Sequence, residues 1–384
     1  MPASYSASMD KFDIIVVGGG PAGTTAATCC AQLGMSVALF EHARFPRRKV
    51  CGDVINPNCW PVLERLGAAE KVRALPQQRV DGAVFTTSRN RSVTVPASPA
   101  MVAIRRSLFD DCLLEHARNC GVTVFESETV HGIACGNEVV TRTGRYLARR
   151  GLIGADGRHS GVARTSGLAS ISDRTSGPVA FQSHFRASKA LDSNVQLHLF
   201  RGGYCGVVRL DAERANLCII TGRHNAQFHH DRQALFARTV ERNPHFRALG
   251  ITAEPLEPWH SAFPLRTPMN VPARNGVFLV GDALRVMEPF TGQGIFFALR
   301  TAELAVEALA TSPCPEAAYA AAVARLYRKR ARTNQWVRCL MYHERTADWL
   351  LAALKFGPAL RWLAGNVLSA GEQVRAGCPT PRGP

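Results

Sequence analysis

The sequence predicts an α/β chain in which a parallel, helix-covered sheet is interrupted by an antiparallel insert and followed by helices. Three observations predict it. A β-branched run, FDIIVV (Phe12 to Val17), ends in Gly18, Gly19 and Gly20 and leads into an Ala- and Thr-rich stretch. Two later apolar runs, GLIG at 151–154 and GVFLV at 276–280, also end in turns that carry glycine and aspartate. Between them, from Ala180 to Thr221, runs such as NVQLHLF and NLCIIT alternate as strands with one buried face do. Parallel strands before and after an antiparallel block imply one domain threaded through another.

The elements follow in order. Ala22 to Leu33 reads as a helix and stops before Gly34, where a left-handed C-terminal residue is favoured. Ser36 to Phe40 is a second buried strand, which completes strand, glycine turn, helix and strand within the ~30 residues of a βαβ unit. Ser107 to Cys120 has helical spacing, with Leu108, Cys112, Leu113 and Ala117 on one face, and Val122 to Glu126 reads as a strand. Thr141 to Arg150 followed by GLIGADG reads as a hairpin and then a further strand. Gly294 to Ala310 is helical, and so is the rest up to a Pro- and Gly-containing tail at 378–384. The expected division is a discontinuous parallel-sheet domain (1–75, 105–165 and 270–310), an insert (76–104 and 166–269) and a C-terminal helical region (311–384).

Composition narrows the function classes. The 384 residues are 46% hydrophobic and 20% charged, which suits a globular core. The net charge of +16 favours anionic partners such as phosphate-rich cofactors or anionic lipid surfaces. Nucleic acid is not expected, because the charge is spread along the chain and aromatic residues do not interleave with it. The 12 cysteines form no CxxC pair, so neither zinc, an iron–sulfur cluster nor any other metal site is expected, and free thiols suit a reducing cytosol. Met1 to Lys11 lacks an apolar signal core, and no run of about 18 apolar residues occurs. The expectation is a cytoplasmic protein, with contact at a membrane surface left open.

Three motifs carry chemistry. In Gly18-Gly19-Gly20-Pro21-Ala22-Gly23, Gly18 permits a tight turn, Gly20 clears the path of a pyrophosphate, and Gly23 lets helix and strand pack closely. Pro21 and Ala22 open the helix, whose N-terminus attracts the phosphates. Glu41 ends the next strand, where a carboxylate binds ribose hydroxyls. The bland alternative is an ordinary strand–helix turn with a solvated Glu41; the agreement of strand, turn, helix and acid speaks against it. The second motif is Gly154-Ala155-Asp156-Gly157, and the third is Gly281-Asp282-Ala283 with Gly292, Gly294 and Ile295 shortly after. Three such strand-end turns suggest one long ligand, FAD, crossing several strand ends, since NAD needs only the first. Asp282 is placed to hold a ribityl hydroxyl, and the turn at Gly292–Gly294 to aim a helix N-terminus at the flavin ring.

Together the three motifs resemble the flavoprotein family that contains para-hydroxybenzoate hydroxylase and geranylgeranyl reductase. FPRRKVCGDVINP (Phe45 to Pro57) and GDALRVMEPFTGQGIFFAL are similar to the geranylgeranyl reductase branch, which carries a K-x-C-G pattern after the ribose-binding acid. Leu284 stands where the hydroxylase branch usually has a His. The resemblance covers roughly residues 12 to 310 and implies that Arg106, in the R-x-x-F-D helix, contacts FAD; Arg105 is the alternative register. It also implies that Cys51 and Gly52 lie beside the isoalloxazine, with Cys51 tuning the flavin or assisting proton transfer, or else acting as a small buried thiol. His184 and Tyr204 fall on the family's substrate-facing sheet as catalytic candidates; a structural His is the plain alternative. Cys205 to Leu210 departs from the aromatic-rich stretch of the reductases, which puts an isoprenoid substrate in doubt.

The C-terminal region groups Arg325, Arg328, Lys329, Arg330 and Arg332 before WLLAALKFGPALRWL (Trp349 to Leu363). That composition suits either an anionic membrane interface or ordinary packing with a solvated basic face. Three functions are consistent with these features. The leading one is FAD-dependent reduction of a C=C bond in an isoprenoid-, lipid- or polyketide-like substrate, with NADPH or another donor. The second is an FAD-dependent monooxygenase acting on an aromatic or polyketide-like substrate. The third is a non-catalytic flavin-binding protein at a membrane. Nothing in the sequence speaks to oligomeric state.

Overall fold

A computed structural model describes residues 9–354 except 135–136, 171–176, 223–224, 226, 228–229, 253 and 288. The chain begins with β1 (Asp10–Val17), α1 (Pro21–Gln32) and β2 (Val37–Phe40), the βαβ unit expected from the glycine turn. Next come β3 (Val54–Ile55), α2 (Trp60–Leu66), α3 (Ala69–Arg73) and the long pair β4 (Gln78–Thr86) and β5 (Ser92–Ala103). Then follow α4 (Arg106–Asn119), β6 (Thr123–Phe125), β7 (Val130–Ala134), β8 (Glu138–Thr141), β9 (Arg145–Gly154) and α5 (Gly161–Thr165). The middle of the chain supplies β10 (Val179–Arg186), β11 (Asn194–Phe200), β12 (Gly203–Arg209), β13 (Arg214–Thr221), α6 (Arg232–Thr239), α7 (Pro244–Arg247) and β14 (His260–Ala262). It closes with β15 (Ala273–Arg274), β16 (Val277–Leu279), α8 (Gly294–Thr311), α9 (Pro315–Tyr342) and α10 (Glu344–Leu354).

Two sheets result. In the first, β16, β9, β1, β2 and β6 run parallel in that order, and the β7–β8 hairpin joins β9. The expected hairpin followed by a separate strand is instead one continuous β9, which pairs with β8 through Arg145–Leu147 and with β1 along most of its length. The second sheet has the order β14-β10-β13-β12-β11-β4-β5-β3. Its pairs are antiparallel except β4 with β11, which run parallel, as the long connection over residues 87–193 permits. β3 belongs to this second sheet, although it lies inside the stretch 1–75 read as part of the first.

The first sheet is buried on both faces, which is why its strands are continuous apolar runs rather than alternating ones. Phe40 stacks on Phe125 at 4.8 Å, with Tyr146 tilted against both. α9 is pinned to β16 by Tyr319, whose hydroxyl donates to the Leu279 carbonyl at 2.7 Å. The two faces of the second sheet differ. One packs Phe236 and Phe246 of α6 and α7 against Phe185, Leu217 and Ile219. The other carries Leu197, Tyr204, Cys218 and Ile220 toward the cavity described below.

One buried histidine sets a pH dependence of stability. Asn243 Nδ2 donates to Thr86 Oγ1 at 3.0 Å, and that hydroxyl lies 2.8 Å from His198 Nδ1. His198 Nε2 is buried without an acceptor. Burial, and then nearby His245, hold the His198 pKa down at about 3. The unfolded chain therefore takes up a proton near pH 6.5 that the native state refuses until about pH 3. The sign follows: stability falls as pH drops through that window, by up to about 1.4 kcal/mol per pH unit from this residue. Urea unfolding at pH 7 and pH 4.5 is expected to show a smaller loss in His198→Gln than in wild type; equal losses would refute it.

Candidate functional site

The three glycine turns lie at the carboxyl ends of β1, β9 and β16, neighbouring parallel strands. They open onto one cavity of about 370 Å³. Its lining includes Gly18, Gly20, Pro21, Ala22 and Glu41 from the first βαβ unit, Cys51, Gly52 and Arg106, Asp156 from the second turn, and Asp282, Gly292, Gly294 and Ile295 from the third. Beyond them it continues over the second sheet, past Phe85, Met101, Leu197, Tyr204, Ile220 and Leu265.

The glycines divide by what a side chain would meet. Gly18 has φ +107, and a Cβ there would sit 2.4 Å from the Ala155 carbonyl oxygen. A Cβ on Gly23 would come within 1.8 Å of Gly18 O, so Gly23 serves helix–strand packing and stands behind the cavity. At Gly20 a Cβ would meet only Arg47 Nη2, at 3.4 Å, and at Gly52, Gly292 and Gly294 it would meet nothing within 4 Å. The protein's own packing does not exclude side chains from these four positions, although Gly292, at φ +61, is also favoured as glycine by its left-handed backbone. They are open to the cavity, as a cradle for a flat, phosphate-bearing cofactor requires.

Glu41 is buried at the end of β2 and accepts from Gly19 N at 2.7 Å and Ala43 N at 2.9 Å. Its carboxylate is thereby held rigidly at the cavity wall. Arg106 is engaged by protein: Nε and Nη2 donate to both oxygens of fully buried Asp110, at 2.8 and 2.9 Å. Burial opposes its charge, but Asp110 and Cys51 together offset this and hold the guanidinium above its ordinary pKa. Cys51 lies within hydrogen-bonding reach of Arg106. Burial raises the thiol's pKa, against the pull of Arg106 and with Asp53 adding to the rise, so Cys51 is a neutral thiol. Asp156 Oδ2 accepts from Val162 N at 3.0 Å, capping α5, and burial pushes its pKa up against hydrogen bonds from Ser160 and neighbouring amides.

Tyr204 is buried on β12 and faces the cavity. His184 does not line it. Its Nε2 lies within hydrogen-bonding distance of Asp53 Oδ2, at 3.1 Å, while its Nδ1 lies 3.3 Å from Glu257 Oε2 without hydrogen-bond geometry. The residues that sequence reasoning passed over are cationic. Arg47 lines the cavity and bridges Glu41 (3.7 Å) and Asp110 (3.4 Å). Lys49 and Arg158 line it as well. Burial lowers the Lys49 pKa against the attraction of Asp282. The signal for Arg47 and Lys49 was present in the basic run RRK at 47–49, and Arg158 follows Gly157 directly in the second turn.

A row of open glycines, a rigidly held acid at the end of β2 and a cationic wall at the ends of parallel strands are the features of an FAD-binding flavoenzyme. Residues 11–320 match the family described as FAD binding domain, and the chain belongs to that family. Among its relatives, a menaquinone reductase of Mycolicibacterium smegmatis is 26% identical over 317 residues, covering 77% of this chain and 76% of the relative. A tryptophan 2-halogenase of Chondromyces crocatus is 24% identical, covering 95% of this chain and 77% of the relative. A geranylgeranyl bacteriochlorophyll reductase-like protein of Thermoplasma acidophilum has the same fold, with a TM-score of 0.76 at 20% identity over 94% of this chain and 97% of that one. The resemblance carried by the K-x-C-G segment fits these relatives.

Proposed function

We propose that the protein is an FAD-dependent reductase that saturates a C=C bond of a hydrophobic substrate, with NADPH or another reductant as electron donor. The observation that carries this reading is the continuity of the cavity, which passes from the cofactor turns onto an apolar sheet face. FAD, once reduced, supplies a hydride. The protein's own residues do the rest. Phe85, Met101, Leu197 and Ile220 present a wall that holds an apolar chain and excludes water. Cys51 and Tyr204 are proton-bearing groups at the cavity, beside Lys49 and Cys218, and the raised pKa of Cys51 keeps its proton in place until a carbanion-like centre needs it.

A second reading, oxygen-dependent modification of an aromatic or polyketide-like substrate, draws support from the halogenase among the relatives. The two separate experimentally. The protein is reduced without oxygen, then mixed with a lipid extract in one syringe and with oxygen alone in another. Substrate-dependent reoxidation in the absence of oxygen is the expected result, whereas an oxygen requirement with an oxygenated or halogenated product would replace it with the second reading. Cys51→Ala is expected to slow reoxidation by substrate about 100-fold or more while FAD content stays unchanged, the low end of the effect of a positioned acid. Unchanged rates would reduce Cys51 to packing.

We also propose peripheral contact with an anionic membrane through the C-terminal helices. On α10, Ala347 and Leu351 are buried while Trp349 is 78% exposed, and Arg325 and Arg328 are exposed on α9. Side chains of Lys329, Arg330 and Arg332, and all of residues 355–363, lie outside the described residues. Among the described residues no helix is long and apolar enough to cross a membrane. Co-sedimentation with phosphatidylglycerol vesicles, release by high salt and weakening by Trp349→Ala are expected. Equal binding to phosphatidylcholine vesicles would oppose the electrostatic part.

A further inference from the structure

A series of buried and part-buried polar contacts links the cavity to the second sheet, and of its members the chemistry proposed above uses only Cys51. It begins in the segment Arg48–Asp53. Asp53 is buried and has φ +56, a left-handed conformation that costs a non-glycine residue about 1 kcal/mol and persists only where neighbours enforce it. The enforcing contacts are specific. Ile104 N donates to the Asp53 carbonyl at 2.8 Å, and Arg106 N donates to Asp53 Oδ1 at 3.2 Å. Asp53 Oδ2 faces His184 Nε2 at 3.1 Å. One turn back, Asn216 Nδ2 donates to the Cys51 carbonyl at 2.8 Å, and Asn216 Oδ1 in turn accepts from Gln182 Nε2 at 2.9 Å.

The far end of this system closes on itself. Glu257 Oε2 lies 3.3 Å from His184 Nδ1 and 3.1 Å from Arg48 Nη1. A ring Asp53–His184–Glu257–Arg48 thus leaves the segment at residue 53 and returns to it at residue 48. The anchors are on the sheet face that forms the cavity wall. His184 and Gln182 alternate in phase with cavity-lining Ala180 on β10, and Asn216 with cavity-lining Cys218 on β13.

We propose that His184 and Asn216 are positioning residues that fix the Cys51–Gly52 turn and tie it to the substrate-facing sheet. The proposal rests on the reading that this turn flanks the bound flavin. Gly52 supports that reading, because its α-carbon opens onto unfilled space. In this arrangement His184 acts through Asp53, and a molecule lying on the sheet is coupled to the cofactor through β10 and β13.

The test uses the full chain, both FAD-loaded and FAD-free. Alkylation of Cys51 by N-ethylmaleimide is followed by peptide mass spectrometry, and the visible spectrum of bound FAD is recorded. His184→Ala is expected to speed Cys51 alkylation in the FAD-free protein about fivefold, a shift of about 1 kcal/mol in the closed-to-open balance of the turn. It is also expected to shift the long-wavelength flavin band of the loaded protein. His184→Gln keeps one donor toward Asp53 and is expected to restore most of both properties. Arg186→Ala, at the exposed end of the same strand, is the control for general loosening. Wild-type alkylation in His184→Ala, or an equal effect of Arg186→Ala, overturns the proposal. Faster alkylation with an unchanged flavin band upholds the clamp and overturns the placement of Cys51–Gly52 beside the flavin.

Discussion

Gly20→Val is expected to yield a folded, colourless protein. The valine Cβ meets only the tip of Arg47 at 3.4 Å, a flexible group that can move aside. The native chain therefore accommodates the side chain, but the space it fills is the one proposed for the cofactor's pyrophosphate. A loss of FAD affinity of at least ~100-fold, about 2.8 kcal/mol, is expected in titration of the FAD-free protein. Gly23→Val provides the contrast. Its Cβ falls 1.8 Å from the Gly18 carbonyl oxygen, so α1 must move away from β1. Destabilisation of about 3 kcal/mol or more is expected, seen as loss of soluble protein or a lowered urea midpoint even without FAD. A Gly20→Val protein with wild-type flavin content would show that the pyrophosphate lies elsewhere.

Arg106→Met is expected to destabilise the FAD-free protein by about 3 kcal/mol. Among the described residues, the substitution leaves fully buried Asp110 with the more distant Arg47 as its ion-pair partner, at 3.4 Å. Removing one member of a buried, bidentate ion pair leaves an uncompensated charge, and typical losses are about 3–5 kcal/mol. Arg47 supports the lower end of that range. Pairing the change with Asp110→Leu is expected to recover part of the loss, because a buried ion pair is often replaced by apolar groups with little net cost. Chemical unfolding of the single and double variants decides this. If Arg106→Met unfolds like wild type without FAD but binds the cofactor weakly, the guanidinium serves the ligand and not the fold.

Gly20 and Arg106 differ in how far their surroundings could be read from the sequence. Gly18, Gly20, Gly23 and Glu41 were legible because their roles are local: a strand, a turn and a helix follow one another within a few residues, and periodicity reports each of them. The turns at Asp156 and Asp282 were legible for the same reason. The i,i+4 spacing of Arg106 and Asp110 was in plain view, yet spacing does not say that Asp110 is fully buried. Burial turns an ordinary helical pair into a structural one. RRK at 47–49 gave three cations in a row, but only the path of the chain decides that Arg47 reaches Glu41 and Asp110 while Arg48 reaches Glu257.

Determined by the sequence itself were the parallel-sheet core, the FAD motifs and the antiparallel insert, since each is encoded by neighbours in the chain. Only the tertiary structure decided that β4 pairs parallel with β11, that His184 faces Asp53 and Glu257 rather than the cavity, and that the cofactor turns share one space with the apolar sheet. Those contacts join residues scores of positions apart, and their partners are selected by packing and burial of charge, which no local pattern records.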